Sequence, residues 1–160
     1  MSLTEITLMI TLLTASFFVG VIAAMIGVIQ RVLDDLDYPT YTRVMQEIIT
    51  SGRQSIVIWS LLLIPTFSAG FALFLLRNAT AEPTFARLIV GLALFIIGPI
   101  LVSGYGNEPY YDDVMTWRTE QAVFVWKHKR RRWFWLNLVR FTIGALACVA
   151  MAVALVLSAM

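Results

Sequence analysis

Four long apolar runs divide the chain and leave little sequence between them. They cover residues 6–29, 56–76, 85–102 and 134–157, and a helix that crosses a bilayer needs about 20 mainly apolar residues. No run contains an acidic residue, and Arg87 and Arg140 lie near run ends, where long side chains reach the interface. The sequence therefore predicts an all-α protein, a transmembrane antiparallel four-helix bundle that forms a single integral membrane domain over residues 1–160.

The composition argues against a soluble globular protein. Hydrophobic residues make up 59% of the chain and charged residues 14%, whereas soluble domains average about 45–50% and about 25%. A chain of 160 residues has too little polar surface to bury that apolar content in water. The net charge of +2 is too small to indicate nucleic-acid binding, so the bilayer is the expected partner.

The basic residues predict how the bundle is oriented. Two of them, Arg77 and Arg87, flank the second connection, and ten lie on the opposite side of the predicted bundle. Because basic residues concentrate in cytoplasmic loops, we expect the first and third connections in the cytoplasm and both termini outside.

Both connections on the basic side are predicted to contain short amphipathic helical segments. Residues 34–39 break the first helix, and apolar side chains then recur at helical spacing from Tyr41 to Ile49. In the third connection, a turn over residues 104–109 is predicted to precede a polar helix from Asp112 to Lys129. The basic run over residues 127–132 is expected to attract anionic lipid.

The chain lacks the residues for a common metal or haem site. His128 is the only histidine and Cys148 the only cysteine, and the predicted spans separate them. A haem with two histidine ligands and a zinc site of His and Cys are therefore excluded within one chain. No phosphate-binding loop, serine nucleophile elbow or metalloprotease motif is present, so we expect no cofactor and no metal.

Polar residues that enter the basic end of the bundle are the candidates for a site. Asn137 and Arg140 lie three residues apart on one helical face, and Trp133 precedes Asn137 by one turn. Buried polar groups in a membrane pair with one another or line a site. Pairing with Asp34 or Asp112 and a functional role both remain open. The Trp and Tyr residues near this end are explained by an interfacial belt or by stacking on a planar aromatic ligand.

Two segments resemble the anthrone oxygenase-like family of small four-helix membrane proteins. The first is the stretch from Tyr41 to Ile49 after the acidic break. The second contains Asn107-Glu108-Pro109 and, at the start of the fourth helix, Trp133-x-x-x-Asn137-x-x-Arg140. In that family a motif Asn-x-Pro-x-Asn follows the third helix, and its second Asn is replaced here by Tyr111, next to Asp112.

The resemblance implies cofactor-independent oxidation of a planar aromatic or phenolic substrate by molecular oxygen. A protein needs only a base, groups that stabilise an oxyanion and a partly dry pocket for this chemistry. The expected catalytic residues are Arg140 and Asn137, which would hold the oxyanion, and Asp34 or Asp112 as the base. The expected substrate-binding residues are Trp133, which would stack on the rings, together with Asn107, Gln46 and Tyr111 at the polar rim.

A non-enzymatic role is the alternative. Small residues of the first helix at intervals of four, Ser16, Gly20 and Ala24, favour close helix packing. They suit an accessory subunit of a larger membrane complex, a homo-oligomer, or a protein that binds lipid or another hydrophobic ligand. Purification in mild detergent separates these roles, because an accessory subunit retains a stoichiometric larger partner.

Overall fold

The computed structural model describes residues 1–120 and 124–160, and they form helices with no strand among them. Within these residues five helices follow one another: α1 (Leu3–Asp34), α2 (Tyr38–Gln54), α3 (Ile56–Leu75), α4 (Pro83–Met115) and α5 (Trp126–Ser158). All except α2 are long and apolar enough to cross a bilayer. The prediction of an all-α, multi-pass bundle is therefore confirmed.

Short polar side chains cap the N-termini of α1 and α2. The Ser2 hydroxyl accepts a hydrogen bond from the Glu5 backbone N–H, and the Glu5 carboxylate accepts one from the Ser2 N–H, which forms a capping box for α1. The Asp37 carboxylate caps α2 by accepting a hydrogen bond from the Thr40 N–H. The acidic break after α1 and the amphipathic α2 therefore both lie where the sequence predicts them.

The bundle packs in antiparallel fashion around α1 and α5. Helix α1 packs on α3 and α5, and α4 packs mainly on α5. Glycine allows the closest approach of α4 to α5, because a Cβ at Gly98 would lie only 2.7 Å from the Ile143 Cβ. The three apolar clusters of the described residues follow the bundle axis, and the one at the basic end is rich in Tyr and Trp.

Helix α4 is longer than predicted, and the turn expected over residues 104–109 is wrong. Residues Ile96–Asn107 are π-helical and continue directly into an α-helical segment, Glu108–Met115. Gly104 and Gly106, which predict a turn in the sequence, do not break the helix. Gly106 instead lies against Leu136 of α5. Pro109 causes no break because it lies in the first turn of the segment that follows.

The polar helix expected from Asp112 to Lys129 is also wrong in its middle. Helix α4 ends at Met115, and α5 begins at Trp126. The residues described between them form turns or irregular backbone, and residues 121–123 lie outside the described part of the chain. The basic run over residues 127–132 therefore belongs to the first turns of α5, continuous with the spanning segment.

Candidate functional site

A cavity of about 250 Å³ lies at the basic end of the bundle, among α1, α2, α3, α4 and α5. Most of its wall is apolar. The apolar residues and the glycine that line it are Phe18, Val21, Ile22 and Met25 of α1, Ile48, Ile49 and Gly52 of α2, and Ile58, Trp59 and Leu62 of α3. Such a wall suits a small apolar ligand, because binding sites are mainly hydrophobic and contain a few placed polar groups.

The remaining wall is polar. It consists of Arg53 at the end of α2, Ser103, Glu108 and Tyr111 of α4, and Asn137 and Arg140 of α5. The cavity is therefore asymmetric: α1 and α3 contribute mostly apolar surface, and α4 and α5 contribute hydrogen-bonding groups and charge.

Asn137 and Arg140 form a hydrogen-bonded pair on one face of α5. Arg140 Nη1 donates to Asn137 Oδ1 over 2.9 Å, and Asn137 Nδ2 donates to the Trp133 carbonyl oxygen one turn earlier, over 3.1 Å. Both polar atoms of the buried Asn137 amide are thus satisfied, and its oxygen fixes the guanidinium. The indole N–H of Trp133 in turn lies 3.3 Å from the Tyr111 hydroxyl oxygen.

The Arg140 guanidinium has no carboxylate within ion-pair distance among the described residues. Its Nε atom is buried and has no hydrogen-bond partner there. A buried charge is costly unless it is paired, and an oxyanion is a chemically suitable partner for such a guanidinium. Arg140 is therefore the part of the cavity wall best suited to bind an anionic oxygen.

Arg53 connects α2 to α4 at the cavity. Its Nη2 lies 2.5 Å from Glu108 Oε2 and 2.7 Å from Asp112 Oδ1. Hydrogen bonds to Asp112 and Glu108 raise the pKa of the Arg53 guanidinium, so this cation stays charged. Arg53 and Glu108 line the cavity, whereas Asp112 is not part of its wall and has a side chain that is 71% exposed.

Two π-helical segments border the cavity. Met25 begins the one in α1 (Met25–Ile29), and Ser103 lies in the one in α4. Pro99 has no backbone N–H to donate, and its carbonyl oxygen accepts a hydrogen bond from the Ser103 hydroxyl. Short π-helical insertions are frequent at functional sites, because they change which side chains face inward.

Three of the predicted site residues, Tyr111, Asn137 and Arg140, line the cavity together. Trp133 lies behind them and contacts the site through the Tyr111 hydroxyl. The pairing of Asn137 and Arg140 with Asp34 or Asp112, left open by the sequence, is not found, because the two residues pair with each other.

The other predicted site residues lie away from the cavity wall. Asp34 is half exposed, pairs with Arg130 over 3.2 Å and accepts a hydrogen bond from Gln30. The Gln46 amide donates to the carbonyl oxygens of Val114 and Trp117, which holds the end of α4 against α2. Asn107 is 0% exposed, and neither polar atom of its amide has a partner among the described residues.

Sequence reasoning missed Arg53, Glu108, Ser103 and Trp59 as cavity residues. In the sequence, Arg53 contributes only to the basic charge that predicts orientation, although it lies at the end of the amphipathic α2. Glu108 enters the sequence prediction only within the segment Asn107-Glu108-Pro109. Its helical spacing from Tyr111 was the signal that could have placed it on the same face.

The aromatic residues at the basic end mostly contact one another. The Tyr41 and Tyr110 hydroxyl oxygens lie 2.6 Å apart, and the Tyr41 ring packs against Trp117 and Trp126. Burial raises the pKa of Tyr41 to about 12. Trp117 and Trp133 are buried within the protein, so their side chains pack against other residues and do not contact lipid.

No group of three His, Cys, Asp or Glu residues within 1–120 and 124–160 is placed to hold a metal ion. The polar wall of the cavity, as described above, supplies hydroxyl and amide groups, one carboxylate and two guanidinium groups. Comparison of the chain with family models, curated proteins and solved structures yields no match.

Proposed function

We propose that the cavity binds a small planar aromatic molecule that carries an ionisable oxygen, and that the protein promotes its oxidation by O₂ without a cofactor. The observation that carries the proposal is the apolar cavity that ends at the unpaired Nε of Arg140, with Asn137 fixing the same guanidinium. The motif Trp133-x-x-x-Asn137-x-x-Arg140, which resembles that of anthrone oxygenases, supports this choice of substrate class.

The size and lining of the cavity limit the ligand. Its volume of about 250 Å³ lies below the roughly 300–1,000 Å³ typical of ligand sites, which favours a compact fused-ring molecule over a long chain. Phe18, Ile22 and Trp59 offer flat or branched apolar contacts for the rings. Arg140, on the opposite wall, receives the oxygen of the ligand.

Glu108 is the best-placed base. It is the carboxylate of the described cavity wall, whereas Asp34 and Asp112 lie outside that wall. Arg53 holds the carboxylate by donating to Oε2. General bases act within hydrogen-bond reach of the proton that they remove, so position favours Glu108 over the two aspartates.

The reaction balances without any further redox group. Glu108 removes a proton from the ring CH₂ group of an anthrone, and the resulting enolate oxygen is stabilised by Arg140, whose guanidinium Asn137 holds in place. The electron-rich anion reduces O₂, and carbon–oxygen bond formation gives a hydroperoxide after proton return. Loss of water across the C–H and O–O bonds leaves the ketone, so one anthrone and one O₂ give one anthraquinone and one H₂O.

Oxygen uptake tests the proposal. Purified protein in detergent micelles receives anthrone at neutral pH, while an oxygen electrode and anthraquinone absorbance are recorded together. We expect wild-type protein to consume O₂ faster than protein-free micelles, with one anthraquinone formed per O₂, and the Arg140→Met variant to lose most of the increase. A wild-type rate equal to that of empty micelles would overturn the enzymatic proposal.

The same cavity supports a second role, binding of a hydrophobic ligand without turnover. Saturable binding of an air-stable planar phenol such as 1,8-dihydroxyanthraquinone, with no oxygen consumption, would support that role. Copurification with a stoichiometric larger membrane protein and no ligand uptake would instead support an accessory subunit.

A further inference from the structure

We propose that the outward face of the first turns of α5 is a binding surface for acidic phospholipid headgroups. This surface, called the basic face below, consists of Lys127, His128, Arg131 and Arg132. It is separate from the cavity and does not depend on the proposed function.

The basic run divides into inward and outward residues. Lys129 pairs with Asp113 over 2.6 Å, and Arg130 pairs with Asp34 over 3.2 Å and donates to backbone carbonyls at the end of α1. The four residues of the basic face are all exposed. In the described part of the chain, none of them has a carboxylate within ion-pair distance. The inward pair thus fastens α5 to its neighbours, and the outward charges remain available.

The basic face continues the lipid-facing side of α5. Apolar side chains that are 41–61% exposed recur along the helix at steps of three, four or seven residues: Trp135, Val139, Leu146, Val149, Val153 and Val156. Counting back from Trp135 by the same steps reaches Arg132, Arg131 and His128. The charges therefore project from the side of the helix that contacts lipid.

The depth of this face matches the headgroup region. From Trp135 to Val156 the helix rises about 32 Å at 1.5 Å per residue, close to the roughly 30 Å of a hydrocarbon core. Trp135 then occupies the interface, where tryptophan is enriched, and Arg131 and Arg132 lie about one turn beyond it. A guanidinium group binds phosphate through several hydrogen bonds, so a headgroup phosphate at that depth is a suitable partner for the arginines of this face.

Charge complementarity selects an acidic lipid. Juxtamembrane Lys and Arg clusters attract anionic headgroups, and we expect Arg131 and Arg132 to attract the phosphate of the lipid while Trp135 contacts the start of its acyl chains. A zwitterionic headgroup presents the same phosphate but adds a cation next to the arginines. We therefore expect phosphatidylglycerol to bind better than phosphatidylcholine.

Lipid quenching of tryptophan fluorescence tests the surface on the full chain. The wild-type protein is reconstituted in vesicles that contain equal amounts of brominated phosphatidylglycerol or brominated phosphatidylcholine. We expect stronger quenching by the acidic lipid, and we expect the Trp135→Phe variant to lose that difference. Equal quenching by the two lipids, or a difference that survives Trp135→Phe, would overturn the proposal.

A charge-matched pair of variants assigns the effect to the basic face. Arg131→Gln with Arg132→Gln should reduce the preference for phosphatidylglycerol at least about fivefold, because each removed guanidinium loses its attraction to the headgroup. Arg77→Gln with Arg87→Gln removes the same charge at the opposite end and should leave the preference at Trp135 unchanged. An equal loss of the phosphatidylglycerol preference in both double variants would contradict a headgroup site at α5. Protection of the wild-type fluorescence from quenching by phosphatidylglycerol, when inorganic phosphate alone is added, would also contradict it.

Discussion

Arg140 Nη1 donates a hydrogen bond to Asn137 Oδ1 over 2.9 Å, while Nε of the same guanidinium has no partner among the described residues. Asn137 is held in turn by the Trp133 carbonyl oxygen. The guanidinium is thus fixed on one side and unsatisfied on the other, at the wall of an apolar cavity. This half-satisfied charge is the central feature of the proposed site.

Arg140→Met should weaken binding of 1,8-dihydroxyanthraquinone at least tenfold, because a hydrogen bond to a charged group contributes about 1.5–3 kcal/mol. Stability should change little, since loss of the Asn137 bond is offset by removal of a buried unpaired charge. Fluorescence titration and thermal unfolding measure the two effects. Arg87→Met, at an exposed position at the other end of the bundle, is the control and should bind like the wild type. Unchanged affinity in Arg140→Met would contradict the assigned role.

Glu108→Gln should lower oxidation of anthrone at least about 100-fold while leaving ligand binding intact, because a general base contributes roughly 10²–10⁴-fold. Asp112→Asn is the matched control, since Asp112 contacts the same Arg53 but lies outside the cavity wall. Both changes should cost less than about 1 kcal/mol of stability, as expected for ion pairs this exposed. Equal rate losses in the two variants would exclude Glu108 as the specific base.

Gly98→Ala should destabilise the bundle by about 1–3 kcal/mol, because the new methyl group overlaps Ile143 at the contact of α4 with α5. Gly20→Ala should be neutral or stabilising, since no atom outside the local helix backbone lies within 4 Å of its added Cβ and alanine favours a helix. Thermal unfolding in one detergent compares them. The packing account fails if the two substitutions have the same effect.

The folded protein should lose stability as the pH rises from about 10 toward 12. Burial raises the pKa of Tyr41 from its ordinary value of 10.0 to about 12, so the unfolded chain releases this proton first. The stabilisation is therefore fully present below pH 10 and is lost as the pH passes through the folded-state pKa. Phenolate absorbance and melting temperature report the effect, which Tyr41→Phe should reduce. An identical alkaline loss in that variant would assign the effect to other groups.

The length and hydropathy of the apolar runs were sufficient to predict the four spanning helices, because each run must satisfy its own backbone in the bilayer. The period of the apolar residues from Tyr41 to Ile49 likewise predicted α2. Both features are local. The turn expected over residues 104–109 is wrong because glycine is equally compatible with a turn and with a close helix contact, and at Gly106 only the position of Leu136 distinguishes the two.

The site was predictable where its residues share one helix. Asn137 and Arg140 lie on α5, and their spacing alone places them on one face. Arg53 and Glu108 are brought together by the packing of α2 on α4, which no local pattern in the sequence encodes. The π-helical segments were not predicted either, because they depend on which carbonyl each N–H selects within an otherwise regular apolar run.

Density for a bound ligand tests the central claim most directly. The protein is reconstituted in nanodiscs with 1,8-dihydroxyanthraquinone, and its structure is determined with and without the ligand. We predict planar density between Trp59 and Arg140, with a ligand oxygen about 3 Å from the Arg140 guanidinium. An empty cavity at saturating ligand, or a lipid chain with no polar contact to Arg140, would contradict the account.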